Sequence, residues 1–190
     1  QVSTGLTTPD IVTFLANMSG LKREGITHAA FEASSHGLDQ YRTEGLPVAA
    51  GAFTNLSRDH LDYHQTMENY FDAKKKLFDG RLGEKPASSV INIDDEYGAK
   101  LARELKSNGQ MVTTFALNNP ADLTTEDIDI SLIKGTSFTL KTAAGNRRIS
   151  SPLVGRPHVY NILAATATAL NLGFDLDSIA KGIEKCKGAP

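Results

Sequence analysis

The sequence predicts an α/β domain: a three-layer, mostly parallel sheet flanked by helices, with a small antiparallel sheet appended to it. As far as Leu117, short apolar runs alternate with stretches of helical periodicity, the pattern of strand–helix units in a parallel sheet. From Asp122 onward, apolar and polar residues alternate with period two, and Gly135 and Gly145 mark turns between antiparallel strands. With 190 residues and 40% hydrophobic content, the chain can bury the core of one domain.

The composition excludes several classes of protein. The formal net charge is −2, so the chain lacks the basic field that follows a nucleic-acid backbone. Its one cysteine cannot form an internal disulfide, and no apolar run approaches the roughly 20 residues of a membrane span. We therefore expect a cytoplasmic globular protein that binds no nucleic acid and inserts into no membrane. Because the chain starts at Gln1 without methionine, we also expect its natural N-terminus to lie upstream.

The first predicted element is a helix that begins after Thr8. Thr8 fits the N-cap position, Pro9 fits the first helical position, and the Asp10 carboxylate suits the positive end of the helix dipole. Apolar residues then recur at helical spacing as far as Gly20, a glycine of the kind that ends helices. We expect the helix to stop there.

Four short apolar runs predict the strands of the parallel sheet. They cover residues 26–31, 48–56, 88–93 and 111–117. Glu32 follows the first run and His60 lies just after the second, near the carboxyl ends of strands, where open α/β sheets place their ligands. Asp94 and Asp95 follow the third run and open a helix expected over residues 97–106. Helix capping explains this acidic pair, and we assign it no catalytic or ligand-binding role.

A helix predicted over residues 67–78 carries a lysine on its apolar face. Lys74 falls on the face that the aromatic and aliphatic residues define, whereas Lys75 and Lys76 fall off it. Such a lysine could lay its methylenes over the core and keep its ammonium in water. Alternatively, it could be desolvated, with a lowered pKa, and react with carbon dioxide to give a carbamate. Glu32 and His60 are residue types that bind cations, which favours the second interpretation.

His60 and His64 have the spacing of the two histidines in a zinc-protease helix. Leu61 stands where the glutamate of that motif follows the first histidine, so the comparison fails. We therefore interpret His64 as a surface or capping histidine.

The C-terminal part predicts antiparallel strands followed by two helices. The strands are expected near residues 128–132, 137–141 and 147–150. An alanine-rich buried helix is expected over residues 162–172, and a short helix over residues 175–186. Cys186 shares the short helix with isoleucines, and we expect it to be a buried, inert thiol.

Four segments of the chain resemble the Mur ligases, in particular the MurE type, which adds the third amino acid of the peptidoglycan stem peptide. They are Thr7-Thr8-Pro9, residues 32–42 (EASSHGLDQYR), residues 54–64 (TNLSRDHLDYH) and Ala73-Lys74. The resemblance covers nearly all of the chain in the same order. It implies the central, P-loop-like domain of an ADP-forming amide ligase. The implied cofactors are ATP and Mg²⁺, and the implied substrates are a UDP-N-acetylmuramoyl dipeptide and an amino acid.

The same resemblance implies roles for individual residues. Glu32, His60 and a carbamylated Lys74 would be the metal-binding and catalytic residues. Those that would hold the UDP-linked substrate are Thr7, Thr8, Ser34, Gln40 and Arg42. Asn161 would contact the adenine of ATP. His158 stands where the family has a second adenine-contacting asparagine, and its imidazole has different donors and acceptors from an amide.

The resemblance stops short at both ends of the chain. The sequence contains no Gly-x-x-x-x-Gly-Lys-Ser/Thr phosphate loop, and the family's C-terminal amino-acid-binding domain would begin after Pro190. We therefore expect residues 1–190 to be a truncated central domain that alone neither hydrolyses ATP nor ligates. The amino acid added, meso-diaminopimelate or lysine, stays open. A folylpolyglutamate synthase-type ligase and a non-catalytic substrate-binding module are the alternatives.

Overall fold

The computed structural model describes residues 7–188, which divide into two compact units. The first unit comprises the described part of residues 1–48 together with residues 57–86. The second comprises residues 49–56 and the described part of residues 87–190. The expected truncation before Gln1 and the expected boundary after Pro190 lie outside the described residues. None of the described helices is long and apolar enough to cross a membrane.

The described part of the first unit is helical, with loops between the helices. It contains α1 (Ile11–Arg23), α2 (Ser35–Asp39), α3 (Leu61–His64) and α4 (Met67–Asp79). The short helices α2 and α3 both contact α4. Helix α4 has the predicted extent because both of its ends are specified locally: the Thr66 hydroxyl accepts from Asn69 N, and Gly80 adopts φ 91° at the C-cap.

Helix α1 starts and ends later than the sequence predicts. Its N-cap is Asp10, whose carboxylate accepts from Thr13 N, and it continues through Gly20 as far as Arg23. The prediction that Thr8 caps the helix is wrong because the Thr8 hydroxyl is engaged elsewhere: it donates to Glu32 O and accepts from Ser34 N. The residue that caps α1 is thus decided by tertiary hydrogen bonds of Thr8 and not by the local sequence alone.

The predicted strand over residues 26–31 is absent from the described chain, where this segment joins no ladder. Residues 22–30 are exposed, and Ile26 keeps 48% of its surface. Phe31 packs its ring edge-on against Phe14 of α1, with 4.8 Å between the ring centroids. The error has a physical cause: an apolar run becomes a strand only by pairing, and no described segment pairs with this one. Glu32 therefore does not follow a strand.

The second unit contains the predicted parallel sheet. Its order is β1 (Ala50–Phe53), β2 (Ser88–Asn92) and β3 (Val112–Phe115), with both pairs parallel. All five residues of β2 are buried, so both faces of the central strand are covered, as in a sheet between helix layers. Helix α5 (Glu96–Ser107) contacts β2 and β3, and helix α6 (Arg156–Asn171) contacts all three strands. The fold class predicted from the sequence is confirmed.

The appended antiparallel sheet is also confirmed. It consists of β4 (Thr124–Ser131), β5 (Gly135–Thr142) and β6 (Gly145–Ser151), with β5 in the centre. A final helix, α7 (Leu176–Lys185), contacts β6 and α6. One hydrophobic core joins the two sheets of this unit through α6. Its members include Val90, Phe115, Phe138, Leu140, Ile149, Val159 and Leu163, each at most 1% exposed.

Candidate functional site

Thr8 organises the part of the first unit where most of the predicted substrate residues lie. It is 1% exposed, and its hydroxyl donates to Glu32 O at 2.9 Å and accepts from Ser34 N at 2.9 Å. Helix α2 approaches this side chain so closely that a Cβ at residue 37 would lie 2.8 Å from Thr8 Cβ, which only the glycine there avoids. Thr7 precedes it in an exposed position. The Thr8 hydroxyl therefore holds the backbone on both sides of Ala33.

Ser34 begins α2, and its hydroxyl accepts from Gly37 N at 3.1 Å. The next residue, Ser35, is buried, and its hydroxyl lies 3.0 Å from His64 Nε2. Both serines thus have a local structural task. A hydroxyl has one donor and two acceptor sites, and the capping bond of Ser34 uses one acceptor site. The predicted substrate contact of Ser34 would use the O–H donor or the other acceptor site.

Arg42 and Gln40 lie together at the end of α2. Arg42 donates from Nη1 to Thr8 O at 2.9 Å and from Nη2 to Gln40 Oε1 at 2.5 Å. The helix ends in a turn in which Tyr41 adopts φ 57° and Arg42 N donates to Gly37 O at 2.8 Å. This turn fixes where the guanidinium leaves the backbone. Of the predicted substrate residues, Thr8, Ser34, Gln40 and Arg42 are thus brought together by one helix and its two ends.

Lys74 is half-buried on α4, with Nζ 5.5 Å from the centroid of the Tyr70 ring. Burial lowers the pKa of Lys74, and the nearby negative charge of Glu32 opposes the shift without cancelling it. A snorkelling lysine keeps its ammonium in water and has no such shift. The desolvation expected from the sequence is therefore present, and Glu32 is close enough to act on the amine electrostatically.

His60 precedes α3 in an exposed, left-handed conformation with φ 53°. Its ring centroid lies 5.8 Å from that of Tyr70, so Tyr70 neighbours both His60 and Lys74. Within residues 7–188, no group of three or more His, Cys, Asp or Glu side chains is arranged to hold a metal ion. The predicted metal ligands of this unit thus provide one carboxylate, one imidazole and the Lys74 amine.

Lys76 and His64, also in the first unit, are buried, which the sequence analysis did not predict. Lys76, predicted to lie off the apolar face of α4, is 8% exposed and pairs with Asp39 at 2.7 Å. His64, interpreted as a surface or capping histidine, is 5% exposed and stacks on Tyr70 at 5.0 Å between ring centroids. The interpretation of His64 as a surface or capping histidine was wrong, and the burial of Lys76 was not foreseen, because groups from distant parts of the chain cover both side chains. A buried lysine requires a partner, and only the fold identifies Asp39 as that partner.

Tyr63 was not singled out from the sequence, although it connects two helices of the first unit. Its hydroxyl donates to Asp39 Oδ2 at 3.0 Å and accepts from Gln40 Nε2 at 3.2 Å. Tyr63, Asp39 and His64 line a polar cavity of about 310 Å³. The sequence signal was the Asp62-Tyr63-His64 run after His60, which places an aromatic hydroxyl about one helical turn beyond a predicted metal ligand.

The predicted adenine-binding residues lie in the second unit. Asn161 is exposed on α6 and lines a mostly apolar cavity of about 610 Å³, together with Phe174 and Ile183. His158 is half-buried in the first turn of α6, where its N–H donates to Gly155 O, and it is not part of the cavity wall. Cys186 lines the same cavity and is exposed, so its expected burial is wrong. It follows the last turn of α7 as its C-cap, where less of the chain covers it.

The acidic pair after β2 has a larger structural role than capping alone. Asp95 caps α5 as predicted, accepting from Gly98 N at 2.9 Å. Asp94 accepts from Leu117 N at 2.6 Å and from the Tyr160 hydroxyl at 2.8 Å, which joins the loop after β3 to α6. Burial alone would raise the pKa of Asp94, but its hydrogen bonds, led by that of Leu117 N, lower it overall.

These features define a class of protein: an α/β domain with a parallel sheet and an appended antiparallel sheet. Within that class, the chain belongs to the Mur ligase middle domain family, whose model matches residues 2–169.

Three relatives illustrate the match. The UDP-N-acetylmuramoyl-L-alanyl-D-glutamate--2,6-diaminopimelate ligase of Solibacter usitatus is 41% identical over 184 residues, covering 97% of this chain and 36% of the relative. The ligase of the same name from Bacillus velezensis is 40% identical, covering 96% of this chain and 37% of the relative. A solved structure with this name matches with a TM-score of 0.87 and 36% identity over 97% of this chain and 37% of that chain. The chain thus spans a little over a third of these relatives.

Proposed function

We propose that this chain is the central part of an ATP-dependent amide ligase that joins 2,6-diaminopimelate to UDP-N-acetylmuramoyl-L-alanyl-D-glutamate in peptidoglycan synthesis. One observation supports this proposal most: hydrogen bonds connect Thr8, Ser34, Gln40 and Arg42 in the first unit. The same unit contains Lys74, whose pKa is lowered by burial and partly restored by the charge of Glu32. The names of the relatives supply the amino acid, since the sequence left diaminopimelate and lysine open. We expect such an enzyme to work in the cytoplasm, where ATP and UDP-linked precursors are available.

In this proposal, Arg42 and Gln40 hold the anionic part of the UDP-linked substrate. Arg42 is half-buried, and two of its five N–H groups are used by Thr8 O and Gln40 Oε1. The remaining donors keep the planar fork that pairs with a carboxylate or phosphate. Thr7 and Ser34 would make further contacts with the same substrate.

Lys74 acts in this proposal as a carbamate. Its lowered pKa increases the fraction of neutral amine, which attacks the carbon of carbon dioxide and releases one proton to give an N-carboxylate. The modified side chain would then be a second anion near Glu32, a pair that a divalent cation stabilises.

Glu32, His60 and the Lys74 carbamate would together hold Mg²⁺. The two carboxylate-type groups suit an ion that keeps several waters and binds substrate phosphates, and His60 would add one nitrogen ligand. When bound, the ion would neutralise charge between phosphate and carboxylate oxygens. Asn161, and more weakly His158, would contact the adenine of ATP.

The test is made on the full-length gene product that contains this chain. With UDP-N-acetylmuramoyl-L-alanyl-D-glutamate, ATP and diaminopimelate, we expect ADP release and a new amide, and a labelled carbamate at Lys74 after growth with carbon-13 bicarbonate. Lys74→Arg cannot form this carbamate and should reduce kcat on the order of 100-fold, whereas the matched Lys75→Arg should stay within about twofold.

Chemical rescue sharpens this test. Formate added to Lys74→Ala should restore part of the activity, because it can supply a carboxylate where the carbamate stood. An unmodified Lys74 together with an active Lys74→Arg would overturn the carbamate assignment.

Ligation of lysine in preference to diaminopimelate would correct the substrate, and binding of a folate in place of the UDP-linked peptide would overturn the proposed function. We also expect the 190-residue chain alone to show no ligation and no ATP hydrolysis.

A further inference from the structure

A chain of five side chains in the first unit runs from a buried cation to the predicted substrate residues. Lys76 Nζ donates to Asp39 Oδ1 at 2.7 Å, and Tyr63 OH donates to Asp39 Oδ2 at 3.0 Å. Gln40 Nε2 donates to the Tyr63 oxygen at 3.2 Å, and Arg42 Nη2 donates to Gln40 Oε1 at 2.5 Å. Asp39, Tyr63 and Gln40 therefore each form hydrogen bonds to two other members of the series, and Lys76 and Arg42 are its two ends.

The direction of these hydrogen bonds is determined by chemistry. An ionised Asp39 can only accept, so the single proton of Tyr63 points toward it. The Tyr63 oxygen is then an acceptor, and the group of Gln40 that meets it must be the NH₂. The Gln40 carbonyl consequently faces Arg42, whose guanidinium can only donate. Rotating the amide by 180° would bring two donors together at Arg42 and two acceptors together at Tyr63, so one orientation is favoured over the other.

Lys76 and Asp39 form one end of this series of hydrogen bonds, and several groups hold them in place. Lys76 is buried, and its Nζ also lies 3.4 Å from Asp39 O and 4.7 Å from the centroid of the Tyr41 ring. The hydrogen bond from Lys76, with a further one from Tyr63, outweighs burial and lowers the pKa of Asp39. Asp39 thus stays an acceptor at neutral pH, and Tyr63 has a fixed partner.

We propose that Tyr63, held by Asp39, is a positioning residue that fixes the Gln40 amide and, through it, the Arg42 guanidinium for the anionic UDP-linked substrate. This inference rests on the proposed function. Tyr63 touches no substrate in this role. It selects the orientation in which Gln40 directs its carbonyl to Arg42, so that the guanidinium is held in place before the substrate arrives, which lowers the entropic cost of binding.

The test is Tyr63→Phe in the full-length gene product, which removes one hydroxyl and keeps the ring. We expect the KM for the UDP-N-acetylmuramoyl dipeptide to rise about five- to tenfold, the effect of one hydrogen bond. The KM for ATP and kcat should change less than twofold. The matched control is Tyr41→Phe, in which the ring over Lys76 is retained, and its KM values should equal those of the wild type. A folding defect would lower the active fraction, and hence kcat, without raising one KM alone.

A double-mutant comparison tests whether Tyr63 acts through Gln40. In a Gln40→Ala background, Tyr63→Phe should have no further effect on the KM for the UDP-linked substrate. A full additional rise there would mean that Tyr63 touches the substrate itself, and it would overturn the positioning role. An unchanged KM in the single Tyr63→Phe variant, with a wild type that ligates, would overturn this inference alone. Absence of ligation by the wild type would overturn the proposed function, and the inference with it.

Discussion

The two units of the chain use different means to hold their shape. In the second unit, one apolar core joins two sheets through α6, and Phe138, Leu140 and Leu163 have no exposed surface. In the described part of the first unit, a histidine and a lysine are buried, and side-chain hydrogen bonds bridge 24 to 37 residues of sequence, as from Thr8 to Glu32 and from Lys76 to Asp39. Distant hydrogen bonds occur in both units, as at Asp94 in the second, but the burial of ionisable side chains distinguishes the first unit and fixes the directions of donors and charges there. The residues proposed to bind the UDP-linked substrate lie in the first unit.

The largest effect on stability is expected from the apolar core. Phe138→Ala should lower the free energy of unfolding by about 3 to 5 kcal/mol, because it leaves a cavity where the side chain was fully enclosed. Urea denaturation of the 190-residue chain measures the change. Leu132→Ala, at a position 90% exposed in the β4–β5 turn, is the control and should be neutral within about 0.5 kcal/mol. A loss below about 1 kcal/mol for Phe138→Ala would contradict the division of roles between the units.

The next effect concerns the ion pair of the first unit. Asp39→Ala leaves the Lys76 ammonium buried without its carboxylate, and we expect a loss of about 1 to 3 kcal/mol. The range lies below that of a fully buried pair because the Asp39 side chain is 36% exposed. Adding Lys76→Met to Asp39→Ala should recover most of the loss, since no unpaired charge is then buried. If the double variant were no more stable than the single one, the cost would come from packing rather than from charge.

A smaller effect of opposite sign is expected at Lys74. In buffer free of carbon dioxide, Lys74→Met should raise the free energy of unfolding by about 1 kcal/mol at neutral pH, because a desolvated ammonium is removed. Burial lowers the folded-state pKa below 10.5, so the penalty is complete below the folded pKa and disappears as the pH rises above the unfolded value. The gain should therefore vanish in denaturation curves recorded above pH 10.5. A gain that persists there would have another origin.

The smallest effect is a pH dependence at His64. Burial first, and then repulsion from His36, lower the pKa of His64 below 6.5, so the unfolded chain takes up this proton before the folded chain does. Stability should fall as the pH drops from 6.5 toward the folded pKa, with a slope of at most about 1.4 kcal/mol per pH unit. Comparing the wild type with His64→Asn between pH 7.5 and 5 isolates this contribution. Parallel curves for the two proteins would assign the pH dependence to other groups.

Local signals in the sequence were sufficient where an element is specified by its own residues. Helical periodicity predicts α4 and places Lys74 on a covered face, and the glycines around the antiparallel strands predict those strands. These features depend on neighbours within about four residues, which a sequence displays directly. Helix α4 of the first unit and the antiparallel strands of the second unit were predictable for this reason.

The same reasoning failed where a distant group decides the outcome. Thr8 has every local property of an N-cap, but Glu32 O and Ser34 N occupy its hydroxyl. Lys76 lies off the helical stripe, but Asp39 and the Tyr41 ring make a second covered site for it. The orientation of Gln40 likewise depends on Tyr63, which is 23 residues away. The roles assigned to the site residues stay predictions, and the hydrogen-bond network around Thr8, Gln40 and Arg42 could be found only from the fold.

Cys186 gives this protein a practical property. It is the one thiol in the sequence, it is exposed, and it lines the same cavity as Asn161. In the 190-residue chain, a maleimide dye or spin label would therefore attach at a single known position without any mutation. Adding adenosine nucleotides and recording its fluorescence or line shape would therefore test the proposed adenine contact of Asn161.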